Sequence, residues 1–266
     1  MKNRIVVAVV VVIVVGIVAA YFYWPQQQQQ PEPVQVQAIS PVAAPPEPVV
    51  QQVIETVLEQ PQLPELSGSD QFMLDTLAGL VGNKSLMQLF HTERIIRKIV
   101  ATVDNLPRER VPVSVMPVSP VPGAFITEGP EDGKTISPNN AARYATYVKV
   151  AEVIDAQKLV EVYVRLYPLF QQAYEELGYP KKYFNDRLLV AIDNMLAAPD
   201  LKNPIKLVQP HVLYNYANPD LEARSAGQKV LMRVGSENEA KIKVWLRGIK
   251  QQVMLHMRDK KVESPM

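Results

Sequence analysis

His91, His211 and His256 are the only imidazoles in the 266-residue chain, and it has no cysteine. Thiolate nucleophiles, thiolate metal sites and disulfides are therefore excluded together. No two of the histidines have metal-ligand spacing, and each reads as a surface or rim residue. A nucleophile elbow and a phosphate-cradling glycine loop are both missing from the sequence. The residue types call for no metal and no cofactor. Carboxylates carry the remaining possibility, because a cell-wall hydrolase needs an acid and a second carboxylate across a sugar cleft. Glu175 and Glu176 close one candidate helix, and Asp186 and Asp193 lie on the next. Adjacent glutamates do not share a helix face, and Asp186 is better placed as a favourable charge at a helix N-terminus. No residue is assigned a catalytic role. A non-enzymatic protein is the leading expectation, with a carboxylate-dependent cell-wall hydrolase as the alternative.

Tyrosine is the conspicuous enrichment: nine of eleven lie between Tyr144 and Tyr216. Tyr163, Tyr167 and Tyr174 share the broad face of one candidate helix with Phe170. Such rings either fill a core with their hydroxyls at its rim or form a platform for sugars and peptides. If the second, the binding surface is expected near Tyr167, Tyr174, Tyr179, Tyr183 and Arg187, beside the mid-helix Pro168. That proline removes one backbone donor, frees the Val164 carbonyl and predicts a kink.

The elements that must hold these residues are mostly helical. Leu159, Tyr163, Leu166, Phe170, Ala173 and Leu177 alternate spacings of four and three, and Gly178 followed by Pro180 stops the helix. Leu188, Leu189, Ile192, Met195 and Leu196 mark the next helix, which ends before Pro199. Ser67 with Asp70, and Ser236 with Glu239, have capping-box spacing. The second box precedes Ile242, Trp245, Leu246, Ile249 and Val253. Lys241, Lys243, Arg247 and Lys250 on that last helix read as a solvated face. Leu86 through Val103 form a broad apolar stripe that ends near Asp104-Asn105-Leu106-Pro107. Prolines 112, 117, 120, 122 and 130 exclude helix from Arg108 to Pro138. That stretch is expected to be a draped arm packed by Val111, Val113, Val115 and Phe125, with a candidate hairpin pairing Ala124–Thr127 with Lys134–Ser137. A further short strand is expected at Val212–Tyr216. The fold expected is a mainly α, bundle-like domain of six or seven helices over residues 65–258, with one long proline-rich irregular arm and a disordered tail at 259–266.

Ahead of this domain, Ile5 to Trp24 carries no charged residue. At about 1.5 Å per residue it spans a hydrocarbon core of roughly 30 Å. Lys2 and Arg4 precede it, and no Lys or Arg follows until Lys84. The positive-inside bias then keeps the N-terminus cytoplasmic and carries the rest across. Tyr21 to Trp24 supply an interfacial aromatic belt. The apolar run is longer than the core of a cleaved signal peptide, so an uncleaved single-pass anchor is expected, with the lipid bilayer as partner of residues 5–24. The expected location is a bacterial inner membrane with the domain in the periplasm. A net charge of +1 gives no reason to expect a nucleic-acid partner.

Residues 25–64 hold nine prolines, no glycine and a run of glutamines from Gln26 to Gln30. Such a segment buries too little apolar surface to offset its ordering entropy and reads as a disordered stalk. Val50, Val53, Ile54, Val57 and Leu58 interrupt it at helical spacing. They predict a short amphipathic helix that docks on its own domain or in a partner's groove.

Several stretches resemble an uncharacterised bacterial envelope family known only as a domain of unknown function. They are Val103-Asp104-Asn105-Leu106-Pro107-Arg108, Asn140-Ala141-Ala142-Arg143-Tyr144, Leu166 through Tyr174, Phe184-Asn185-Asp186-Arg187 and Gly227-Gln228-Lys229-Val230-Leu231. The resemblance implies an N-terminal anchor, a proline-rich stalk and one globular domain. It brings no activity and no catalytic residues. The combined expectation is a tethered binding or scaffold module whose partner is an envelope protein or peptidoglycan.

Overall fold

The computed structural model describes residues 51–54, 63–202 and 204–260. The expected span 5–24, most of the stalk, and Val50, Val57 and Leu58 lie outside them. Among the described residues no helix is long and apolar enough to cross a membrane.

The domain is mainly helical. Ten helices are described: α1 (Asp70–Val81), α2 (Lys84–Met87), α3 (Ile95–Asn105), α4 (Asn140–Arg143), α5 (Ala145–Val153), α6 (Ala156–Glu176), α7 (Phe184–Leu196), α8 (Pro219–Glu222), α9 (Ala226–Arg233) and α10 (Ser236–Leu255). Seven of them have eight or more residues, and the other three are single turns. Three two-stranded antiparallel sheets accompany them: β1 (Gln51–Ile54) with β6 (Met257–Lys260), β2 (Thr127–Glu128) with β3 (Thr135–Ile136), and β4 (Leu207–Val208) with β5 (Asn215–Tyr216).

Helix α6 is the central element, packed by α3 on one side and α10 on another, with α7 beside all three. Its Leu159, Tyr163, Leu166, Phe170 and Ala173 are buried, as their spacing demands. Ile95, Ile96, Ile99, Val100 and Val103 of α3 meet them, as do Ile242, Trp245, Leu246, Ile249 and Val253 of α10. Each such side chain contributes about 1.5–3 kcal/mol relative to exposure. Asp155 caps α6 by accepting from the Lys158 amide at 2.9 Å. The helix runs unbroken through Pro168. Leu177, expected to extend the stripe, is exposed because the helix has already ended.

The arm is draped, but by a partly different set of anchors. Val111, Met116, Val118 and Val121 are buried, while Val113 is exposed. Phe125 instead joins a small satellite cluster with Leu207, Tyr216 and Met232. The arm is held by polar contacts from the helices. Thr102 Oγ1 donates to the Val115 carbonyl at 2.9 Å, and the Tyr147 hydroxyl to the Ser119 carbonyl at 2.8 Å. Asn140 accepts from the Ile126 amide at 3.0 Å, and Arg143 donates to the Gly123 carbonyl at 2.6 Å. The expected hairpin forms with Thr127 opposite Ile136, later in its first strand than the sequence suggested. Only Asn215 and Tyr216 of the expected 212–216 strand pair, with Val208 and Leu207.

Several expectations are overturned. Residues 51–54 are a strand, not a turn of helix, so Val53 and Ile54 lie opposite Arg258 and Met257 of β6. That pairing also carries regular structure past residue 258 into the expected tail. The Leu86–Val103 stripe is not one helix: it breaks after α2, where Phe90 bridges to Val118, and restarts at α3. Neither capping box forms. Ser69, not Ser67, occupies the cap of α1, and Gly235, at φ 90°, that of α10. Glu239 is drawn instead to Lys243, 2.6 Å away. Lys243 in turn donates to the Ala198 carbonyl at 2.5 Å and is buried, so it does not belong to a solvated face.

Candidate functional site

The C-terminal end of α3 and the N-terminal turn of α7 meet at Asp104. A carboxylate at a helix C-terminus and an arginine in a helix first turn both oppose the local dipole. Their placement is explained by each other. Arg187 Nε donates to Asp104 Oδ1 at 2.9 Å, and its Nη2 donates to the Asp104 backbone carbonyl. Arg108, one turn beyond Asp104, donates from Nη2 to Oδ2 at 2.6 Å and from Nε to the same carbonyl at 3.2 Å. The two guanidiniums thus cap the end of α3 and neutralise a carboxylate that is only 6% exposed.

Tyr179 joins this knot from the loop after α6. Its hydroxyl accepts from Arg108 Nη2 at 2.7 Å and donates to Asp104 Oδ2 at 3.3 Å. Its ring stacks on Tyr174 with centroids 4.7 Å apart. Lys182 Nζ lies 5.5 Å from the same ring centroid, within range of a cation–π attraction. Tyr174 is buried, and burial, followed by the nearby Asp104 charge, pushes its phenol up to about 12.

Gln171 fixes the loop that carries Tyr179 and Lys182. Its Oε1 accepts from the Tyr167 hydroxyl at 3.0 Å and from the Phe184 amide at 2.9 Å. Its Nε2 donates to Glu175 at 2.8 Å and to the Lys182 carbonyl at 2.9 Å. One amide side chain therefore ties α6, the 177–183 loop and the start of α7 together.

Of the five residues expected to bind, three come together: Tyr174, Tyr179 and Arg187. Tyr167 is buried, and its ring packs edge-on against Tyr163 at 5.9 Å, so it is core rather than platform. Tyr183 is half-buried at the start of α7 and takes no part in the knot. The aromatic face of α6 is core throughout: Tyr163, Phe170 and Phe184 pack against one another, and the Tyr163 hydroxyl donates to Asn185 at 2.5 Å. Asp104 and Arg108 were not singled out from the sequence. Their i, i+4 spacing across the end of a helix was the available signal.

The carboxylates weighed for catalysis are dispersed. Glu176 pairs with Arg97 at 2.8 Å and Asp193 with Lys250 at 2.5 Å. Asp186 is half-buried, and desolvation raises its pKa. His91 has its pKa lowered by burial and then by Lys98, and its amide donates to the Pro117 carbonyl at 2.9 Å. Among the described residues no group of histidines and carboxylates could hold a metal ion.

The stretches that carried the family resemblance converge here or on the arm. Asp104 and Arg108 come from the first, Arg143 and Asn140 from the second, Gln171 and Tyr174 from the third, and Arg187 from the fourth. The fifth abuts the first: Gly227 N donates to the Leu106 carbonyl at 2.9 Å and Ala226 N to the Arg108 carbonyl at 2.7 Å. No curated protein and no solved structure matches the chain. The model of a family described as a protein of unknown function, DUF3014, matches residues 95–250, from the start of α3 to near the end of α10, and the chain belongs to that family.

Proposed function

We propose that this chain is a membrane-tethered envelope protein whose helical domain is a non-enzymatic binding or scaffold module. In this reading residues 5–24 anchor it in the inner membrane, the proline-rich stalk spaces the domain from the bilayer, and the domain lies in the periplasm. The cation asymmetry around the valine-rich run supports that orientation. The observation that carries the binding role is Tyr179. A half-buried ring is stacked on Tyr174 and its hydroxyl is shared between Arg108 and Asp104, on a loop clamped by Gln171. A rigid aromatic plate with charged groups at its edge binds at low ordering cost.

The test uses the full-length chain incubated with purified peptidoglycan and with envelope extracts. Co-sedimentation or a crosslinked partner that is lost in Tyr179→Ala, without release of soluble wall fragments, is the expected result. Release of muropeptides would overturn the non-enzymatic reading. A phosphatase fusion placed after Pro64 is expected to be active, which checks the compartment.

A further inference from the structure

The Asp104 knot is not electrically balanced. Arg108 and Arg187 share one carboxylate, so the knot carries one excess positive charge, and Lys182 lies 5.5 Å from the Tyr179 ring centroid. Two nearby acids are paired elsewhere, Glu109 with Arg110 at 3.6 Å and Glu176 with Arg97 at 2.8 Å, while Glu175 accepts from the neutral amide of Gln171 and keeps its charge.

The cations also have unused capacity. Both oxygens of Asp104 are occupied, Oδ1 by Arg187 and Oδ2 by Arg108 and Tyr179. Arg108 spends Nε and Nη2 inward, and its side chain is 49% exposed. Arg187 spends the same two nitrogens. Among the described residues the Nη1 group of each makes no hydrogen bond. A planar guanidinium already held in place by one carboxylate presents its free Nη1 to a second with little further loss of freedom. Lys182 adds long-range attraction, and the Tyr179 ring offers an apolar plate for whatever bears the anion.

We propose that Arg108, Arg187, Lys182 and Tyr179 form a receptor for a peptide-borne carboxylate. This rests on the binding-module reading and names its ligand chemistry. A protein C-terminus and a cell-wall stem peptide both carry such a group, and they differ in the configuration of the terminal residues.

The experiment titrates the full-length chain calorimetrically with N-acetyl-Ala-Ala in its L,L and D,D forms, with the carboxamide of each, and with inorganic phosphate. One carboxylate form is expected to bind, and its configuration identifies the source. Its carboxamide is expected to bind about tenfold or more weakly, the usual effect of losing charge-assisted hydrogen bonds. Arg108→Gln should weaken binding similarly, and Lys182→Gln by a few-fold with an unchanged melting temperature. Arg110→Gln, next to the site but paired outward, should leave it unchanged. The proposal is overturned if acid and amide bind alike, if phosphate binds better, if neither acid binds, or if R110Q weakens binding as much as R108Q. Peptidoglycan or partner capture that persists in R108Q would sink the carboxylate receptor while leaving the tethered-module reading intact.

Discussion

Arg187 and Asp104 lie 83 positions apart and meet at 2.9 Å, each on the end of a helix whose dipole disfavours it. The pair belongs to tertiary structure alone, because local preference argues against both residues. Replacing the carboxylate by an amide leaves two guanidiniums facing each other with one side-chain oxygen and the helix-end carbonyl as acceptors. Asp104→Asn should therefore cost about 2–3 kcal/mol, less than the roughly 3–5 kcal/mol of breaking a fully buried ion pair from one side, because Arg108 is half-exposed. Urea denaturation measures it. A double variant, Asp104→Leu with Arg187→Leu, should cost less than the sum of its two single changes, with Arg108 still short of its partner, and a cost equal to that sum would show that the pair is not coupled.

Asp70 caps a helix to which it does not belong. Its Oδ2 accepts from the Arg94 amide at 2.7 Å and its Oδ1 from the Ile95 amide at 2.9 Å, at the start of α3. Arg94 has a positive φ of 50°, a conformation unfavourable for a residue with a Cβ, and the carboxylate holds it. Asp70→Ala should lower stability by about 1–2 kcal/mol and speed hydrogen exchange at Arg94 and Ile95. Asp70→Asn, which keeps one acceptor, should lose less.

How much of this was legible from the sequence depends on whether a contact is local. The buried faces of α6, α7 and α10 follow from apolar periodicity, because helical spacing alone decides which side chains share a face. The arm's exclusion from helix follows from proline chemistry. What periodicity does not encode is where a side chain finds a distant partner. Asp70 looked like half of a capping box with Ser67 but caps α3. Glu239 looked like the other half of a box with Ser236 but is 2.6 Å from Lys243. Val53 and Ile54 had helical spacing, yet the strand they form depends on residues 257 and 258, two hundred positions away. Tyr167 shares a helix face with Tyr174, but the loop bearing Tyr179 covers only Tyr174.

Gly227 sits where α9 presses against the end of α3. A Cβ there would lie 2.9 Å from Met195 Cγ and 3.2 Å from the Leu106 carbonyl oxygen. Met195 can yield, but the Leu106 carbonyl is the acceptor for the Gly227 amide and cannot withdraw without losing that bond. Gly227→Ala should destabilise by about 1–3 kcal/mol, as overpacking does. Gly68→Ala, where an added Cβ meets nothing within 4 Å, is the matched control and should leave the melting temperature nearly unchanged.

Tyr147 provides a pH test of the arm's attachment. Burial pushes its phenol from the ordinary 10.0 up to about 12. In the unfolded chain it ionises near its ordinary value, so between about pH 10 and 12 the unfolded state binds fewer protons than the folded state. Stability must then fall as pH rises through that window, by about 1.4 kcal/mol per pH unit at most from this one group. Tyr147→Phe removes this contribution along with the hydrogen bond to the Ser119 carbonyl. The variant should be about 1 kcal/mol less stable at pH 8, the ordinary cost of one such bond. Its deficit should shrink as pH rises above 10, because the wild-type chain loses stability that the variant no longer has to lose. Denaturation midpoints of the two proteins at pH 8, 10 and 11 decide the matter, and parallel curves across all three would place the Tyr147 hydroxyl in solvent rather than against the arm.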